Sequence, residues 1–377
     1  MSFVSYGAHM LMRMTGTVRF HLRRFEDAVR HRAYEGASHA QRLSGWNTGN
    51  SSARAEVEAA APTLRARSRD LARNNPHGRR ALSAVCSNTI GCGIIARVKD
   101  NKRAEVWKKW AESTTADFMG EQNFYGLQNI VMRTLVESGE VFIRRVVERG
   151  QLRLQVLEPE AIEDIEMDDY GRPKAYKVFK RPGVDDFQAS VRIPAEDIIH
   201  LYQAERANQG RGVPWFAPVI LELRDLGDYK DAELMRRKIA ACFAGFVTFP
   251  RATDAEQKKT WDLSRRIQPG TITEVPDGAT LQMASPPQVS EGDFVRDRLR
   301  SVAAGVGLTY EVLTADYSTV NFSSGRMGWI EMQRMIDQWR WLLIIPRFCT
   351  RVFEWYFARL CRRFSALLPR LALPLPL

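Results

Sequence analysis

The densest cluster of chemistry-bearing residues is acidic: Glu158, Glu160, Glu163, Asp164, Glu166, Asp168 and Asp169. Carboxylates that converge in space can hold divalent cations and activate water for phosphodiester cleavage. These seven instead crowd one strand-and-turn segment and lack the ligand spacing of a calcium loop. They read as a solvated, subunit-facing acidic edge. His200, the only histidine after His77, lies in Ile198-Ile199-His200-Leu201-Tyr202. Alternation there marks a strand, and the histidine reads as structural. No GxxxxGK[ST], GxSxG or HExxH occurs, so the phosphate-cradling loop, the nucleophile elbow and the zincin helix are all missing. The five cysteines include no CxxC pair, which argues against zinc and disulfide frameworks and for a reducing compartment. The sequence therefore offers no catalytic set, no metal site and no cofactor site. A metal-dependent nuclease or recombinase is the enzymatic alternative, resting on the acidic run and the basic net charge alone.

A second polar cluster is of another kind. Asp316, Tyr317, Ser318, Thr319, Val320, Asn321, Phe322, Ser323 and Ser324 form a run with one acid, no base and several hydroxyls. Helical patterning lies on both sides, over 292–306 before it and over 324–360 after it. A polar loop held between helices is a presented surface, because loops on rigid scaffolds often carry function.

The elements that must position these clusters follow from the bulk numbers and the patterning. The chain has 377 residues, 45% hydrophobic, and a formal net charge of +11. It is long enough for more than one domain, and its charge favours an anionic partner. The nearest approach to a membrane segment, Trp339–Cys361, carries arginines every few residues and Pro346. It reads as a buried or subunit-facing amphipathic helix, and no membrane partner is expected.

Residues 1–62 read as a basic, partly disordered arm. From Pro62, a helical pattern is broken at Asn74-Asn75-Pro76 into two helices, ending at Gly91-Cys92-Gly93 before a strand over Ile94–Lys99. Helices follow over Ala104–Met119 and Asn123–Ser138. A hairpin comes next, Val141–Val147 with Leu152–Leu157, and then strands at Ala175–Phe179, Val191–Pro194 and Ile198–Tyr202. The class is α+β, with helices first and an antiparallel sheet after them. A long helix over Val219–Ala241 leads to a strand at Phe243–Phe249 and a charged helix over Ala255–Arg266. A strand pair follows around Pro276-Asp277-Gly278.

Several stretches, in order, resemble the lambda-type family of tailed-phage portal proteins. They are LRARSRDLARNNPHGRRAL with GCGI, ESGEVFIRR, LQVLEPEAI, RGVPWFAP with its DAEL-bearing helix, PGTITEVPDGATLQMASPPQ and LTADYSTVNFSSGR. The resemblance covers residues 30–357. It implies a portal-type fold with a wing at 63–205, a first stem helix within 206–242 and a clip at 243–290. A second stem helix would lie within 291–310, a tunnel loop at 311–324 and a long helix at 325–360. Residues 361–377 depart from the family pattern, as an altered or truncated tail without a crown.

The same resemblance implies a ring of about twelve copies that replaces one capsid vertex of the virion, after assembly in the host cytoplasm. Double-stranded DNA would pass through it without sequence reading. The terminase large subunit, the major capsid protein and head-completion proteins would bind it. Lys258, Lys259, Arg265 and Arg266, in the clip, are the residues expected to meet terminase. Asp316–Ser324 would line the channel as a weakly gripping collar.

Overall fold

The computed structural model describes residues 48–180, 189–242, 246–248, 280–282 and 291–367. Four helices come first: α1 (Ala53–Asn74), α2 (Pro76–Thr89), α3 (Asn101–Ala111) and α4 (Phe124–Ser138). The break between α1 and α2 falls at the predicted Asn-Pro. Asn75 is extended, and its side-chain oxygen accepts from His77 N at 2.9 Å and Gly78 N at 3.1 Å. Pro76 starts α2, where its missing N–H costs nothing.

Three expectations need correction here. The first helix begins at Ala53, inside the segment read as an arm, and Pro62 lies within it. Its buried stripe is Ala61, Arg65, Ser68 and Ala72, small and polar residues that a search for apolar periodicity passes over. The expected strand over Ile94–Lys99 forms no ladder. The Gln128 side chain takes the place of a neighbouring strand, accepting from Ile94 N at 2.6 Å and donating to Ile94 O at 3.1 Å. The third helix begins at Asn101, because Asp100 caps it by accepting from Arg103 N. It stops at Ala111, and the chain then runs through a short 3₁₀ turn, Thr114–Ala116.

Two three-stranded antiparallel sheets follow. β1 (Glu140–Glu148) lies between β2 (Gln151–Leu157) and β6 (Ile198–Tyr202), while β4 (Pro173–Phe179) lies between β3 (Ile162–Met167) and β5 (Ser190–Pro194). The β1–β2 register closes at Glu148 opposite Gln151, and Arg149 and Gly150 both have positive φ, 47° and 74°. That is the two-residue hairpin geometry whose twist suits the strands. The strands read as one small unit thus divide between two sheets, with β5 and β6 in different ones. Both edges of the first sheet are covered. Trp110 Nε1 donates to Leu152 O and Phe118 N to Leu154 O on the β2 side. On the β6 side, Arg347 donates to His200 O and Tyr202 O at 2.9 and 2.8 Å. Unpaired strand edges invite pairing with other chains, and these caps remove the opportunity.

Helix α5 (Ile220–Cys242) packs against α6 (Glu291–Val306). Leu223 and Leu226 of the first, and Leu299, Val302, Ala303 and Val306 of the second, are buried in the main core. Glu222 accepts from Arg298 at 2.8 Å, and Tyr229 lies 4.7 Å from Phe294, ring to ring. β7 (Phe246–Thr248) pairs antiparallel with β8 (Thr280–Gln282). The charged helix expected over Ala255–Arg266, and with it Lys258, Lys259, Arg265 and Arg266, lies outside the described residues, as does the turn at Pro276-Asp277-Gly278.

After α6 come a short helix α7 (Tyr310–Thr314), then α8 (Phe322–Gln338), a π-helical stretch (Trp339–Cys349) and α9 (Thr350–Leu367). The long helix expected at 325–360 is therefore continuous in direction of sequence but changes its winding around Pro346. Proline has no N–H for the usual i−4 bond, and a wider turn is one way to absorb that. This stretch fastens the C-terminal helices to the rest. Arg340 donates to Thr89 O and Asn88 O at the C-terminal end of α2, where a cation also suits the helix dipole. Trp107 of α3 packs with Phe353, Tyr356 and Phe357 of α9 at 4.9–6.3 Å between rings, and aromatic pairs contribute about 0.5–1.5 kcal/mol each beyond area burial.

Candidate functional site

The candidate loop is built from both ends. Helix α6 stops at Gly307, whose φ is 79°, and Leu308 N turns back to Ala303 O at 2.8 Å. Thr309 caps α7 through Val312 N. Leu313 is buried, and Arg80 of α2 donates to Val312 O at 3.0 Å. The base of the loop is thus held by a helix from far earlier in the chain. At the other end Asn321 makes a capping box with Ser324. Ser324 N donates to Asn321 Oδ1 at 2.8 Å, and Asn321 N donates to Ser324 Oγ at 3.1 Å.

Between these anchors the loop bonds to itself. Ala315 adopts a left-handed conformation, and its N–H closes on Glu311 O. Asp316 accepts from Ser318 N at 3.0 Å and from Tyr310 OH at 3.2 Å. The Ser318 hydrogen bonds, with help from Tyr310, hold its carboxyl below the usual range. Asp316 is therefore a fixed negative charge at neutral pH. Tyr317 and Phe322 are 60% and 84% exposed, and Ser318, Thr319, Asn321, Ser323 and Ser324 are exposed too.

The expected loop of 311–324 is consequently shorter. Tyr310–Thr314 is a helical turn, and Phe322, Ser323 and Ser324 form the first turn of α8. The reason is local: Asn321 followed by Ser324 is a capping box, a signal present in the sequence and assigned there to the loop instead. The nine residues stay together on one connected surface, but only Ala315–Asn321 is non-helical.

The structure also contains a polar centre that the sequence reading missed. Glu140 opens β1 with its side chain fully buried. Its carboxylate accepts from Arg211 Nε at 2.8 Å, Arg211 Nη2 at 2.5 Å, Gly212 N at 3.0 Å and His200 Nε2 at 2.9 Å. Arg65 of α1 approaches at 3.4 Å. Burial pushes the carboxyl up, but hydrogen bonds from His200 and Arg211 outweigh it and bring the pKa down to about 2. Burial likewise pushes His200 below its ordinary value, against the pull of Glu140. Since an ionised carboxylate only accepts, the neutral imidazole must carry its proton on Nε2.

The centre joins three distant stretches: α1, the first sheet, and the 203–219 connection that feeds α5. Backbone contact tightens it further. Gly139 has a φ of 85°, and a Cβ there would overlap the Val213–Pro214 backbone, while one on Gly212 would overlap Gly139. His200 keeps the structural role expected of it, stacked on Phe142 at 4.2 Å.

The acidic run divides among separate partners. Glu160 and Glu158 reach Arg69 at 2.7 and 3.6 Å, and Glu160 also reaches Arg65. Asp164 pairs with Lys177 and Glu166 with Arg192 across the second sheet. Asp168 accepts from the backbone of Tyr170 and Arg172 in the β3–β4 turn. Glu160, about half of whose side chain is exposed, also ties the sheet region to α1. Among the described residues no group of three His, Cys, Asp or Glu could hold a metal ion, and no helix is long and apolar enough to cross a membrane. Cys86, Cys92 and Cys349 are free thiols.

Comparison with known proteins adds a family to this geometry. A family profile described as "Phage portal protein, lambda family" matches residues 39–340. A probable portal protein of Halomonas phage phiHAP-1 is 26% identical over 317 residues, covering 71% of this chain and 61% of the relative. The chain thus spans about three fifths of the length of that relative. Among solved structures, a chain from the neck of an empty GTA particle computed with C6 symmetry has a TM-score of 0.50 at 13% identity, covering 74% of this chain and 78% of that one. A chain from the neck of a native GTA particle computed with C12 symmetry has a TM-score of 0.49 at 16% identity, with 80% of each chain covered.

Proposed function

The chain belongs to the lambda family of phage portal proteins, and from that premise we propose that it assembles into a ring of about twelve copies at one capsid vertex. The ring is the channel through which double-stranded DNA is packaged and ejected. The family match over residues 39–340 is the observation that carries the reading.

In this reading residues 63–205 form the wing, α5 and α6 the stem, 243–290 the clip, and Ala315–Ser324 the channel collar. The terminase large subunit docks on the clip, with Lys258, Lys259, Arg265 and Arg266 as candidate contacts. The major capsid protein and head-completion proteins bind elsewhere on the ring. The protein works as part of the virion, after assembly in the host cytoplasm.

The physical support comes from the loop. A passage for DNA must touch phosphates without gripping them, because many Lys or Arg contacts would create a strongly salt-dependent brake. Asp316–Ser324 holds hydroxyls, an amide, two aromatics and one fixed negative charge. Such groups exchange water-mediated contacts with a backbone at little cost. Ring symmetry would repeat each of them around the axis. The loop is also anchored at both ends, by the Thr309 cap of α7 and the Asn321–Ser324 capping box of α8.

Negative-stain microscopy of the purified protein should show rings with an axial hole. Asn321→Ala with Phe322→Ala should change the yield of packaged DNA while rings still form. Particles without an axial hole would overturn the channel reading, and unchanged packaging would overturn the collar.

A further inference from the structure

A cyclic ring is a heterologous assembly, in which every subunit must carry two different and complementary patches. The described residues offer such a pair, and helix α8 carries part of each. On one flank a groove of about 520 Å³ opens between the 203–219 connection, the end of α6 and α8. Its walls are largely apolar: Pro214, Trp215, Pro218, Met335 and Trp339. The two indoles meet at 5.0 Å between rings. Glu205 stands at its rim, exposed, and its carboxylate has no partner among the described residues.

On the side away from Met335, α8 presents Arg326 and Ile330, the latter 39% exposed, with the exposed Arg334 and Asp337 on the same half of the helix. Neither guanidinium has a partner among the described residues. From Arg326 to Met335 the helix makes about two and a half turns, so these two side chains leave it on opposite sides. Ile330, four residues on from Arg326, shares the Arg326 side. The groove, with an unpaired acid at its rim, and the opposite flank, with Ile330 beside the unpaired Arg326, match in polarity and, at Arg326, in charge; Asp337 shares that flank about 16 Å further along the helix.

We propose that the Arg326–Ile330 stripe of one subunit seats in the Trp215–Trp339 groove of the next, with Arg326 paired to the neighbouring copy's Glu205. The proposal rests on the ring reading and assigns that ring a specific contact. The occupant of the groove is a second copy of this chain. The contact would place the collar of each subunit directly beside the wing-to-stem connection of its neighbour.

The test is a charge exchange, read by native mass spectrometry and negative-stain microscopy of the full chain. Arg326→Glu and Glu205→Arg should each shift protein from rings to monomers, weakening assembly roughly tenfold or more, because like charges facing across an interface are strongly disfavoured. The double variant should restore rings. Thermal unfolding of the monomeric single variants should match that of wild-type monomer, since both side chains are exposed and unpaired. Single variants that form rings as readily as wild type would overturn the contact while leaving the ring reading intact, and would give the groove to some other occupant. A double variant that stays monomeric would also overturn the pairing. Wild-type protein that forms no ring under packaging-buffer conditions would overturn both readings together.

Discussion

The Glu140 centre and the Ala315–Ser324 loop are both dense in polar groups, and they use them in opposite ways. At Glu140 the carboxylate is out of water, so four donated hydrogen bonds from His200, Arg211 and Gly212 are needed to keep it charged. In the loop Asp316 is half-exposed, and hydrogen bonds from Ser318 and Tyr310 hold it in place and favour its charged form. The difference teaches that polar density does not identify the role of a region. Burial turns polarity into stability, and exposure leaves it available for contact with something else.

Variants should separate the two regions in proportion to burial. Glu140→Ala would leave Arg211 and His200 without their acceptor, and removing one partner of a buried ion pair costs about 3–5 kcal/mol. Urea unfolding should show that loss, with Glu140→Gln milder because an acceptor oxygen remains. Gly212→Ala comes next. Its Cβ would meet the Gly139 backbone, which cannot swing aside, and overpacking of this kind costs about 1–3 kcal/mol. A midpoint unchanged from wild type would mean that the 203–219 connection is not tied to the sheet as described.

Acid should sharpen the contrast. His200 is held neutral below its ordinary pKa, so the unfolded chain binds its proton first. Stability contributed there is complete above about pH 6.5 and declines as the pH falls through that value toward the folded one. Glu140 adds a second loss, because its folded pKa is depressed to about 2. Its contribution is intact above its ordinary carboxylate value and is lost as the pH falls toward about 2. The His200→Asn variant should lack the upper part of this profile in denaturation measured against pH. Asn321→Ala and Phe322→Ala, which remove no titratable group, should leave the profile unchanged.

In the loop the effects on stability are smaller. Asn321→Ala removes the cap of α8 and should cost about 1 kcal/mol, visible as faster amide exchange in the first turn of that helix. Phe322→Ala, at an exposed position, should stay within about 0.5 kcal/mol on thermal unfolding. A large destabilisation by Phe322→Ala would break the comparison, because it would make the loop a packed element.

Much of the fold was legible in local signals. Asn75-Pro76, Asn123 before α4, the Arg149-Gly150 hairpin and the periodic helices α5 and α6 all rest on short-range chemistry, and the structure has them where the sequence put them. The misreadings have equally specific causes. Helix α1 hides its buried face in Ala, Arg and Ser. The Ile94 segment is paired by a glutamine rather than by a strand. The capping box at Asn321 and Ser324 shortens the loop. The Glu140 centre could not be read in advance, because its members are residues 65, 140, 200, 211 and 212 and no local pattern connects them.

The sequence by itself determined the element types, the positions of most turns, and the polar, nearly uncharged character of the Asp316–Ser324 run. These depend on backbone preferences and side-chain chemistry acting over a few residues. The tertiary structure decided which of the polar groups are buried. It buried Glu140 against Arg211 and His200, divided the acidic run among separate cationic and backbone partners, and left Tyr317 and Phe322 in solvent. Burial is a property of long-range packing, and it fixes the dielectric in which each charge sits. The same kinds of side chain therefore hold the chain together in one place and face outward in the other.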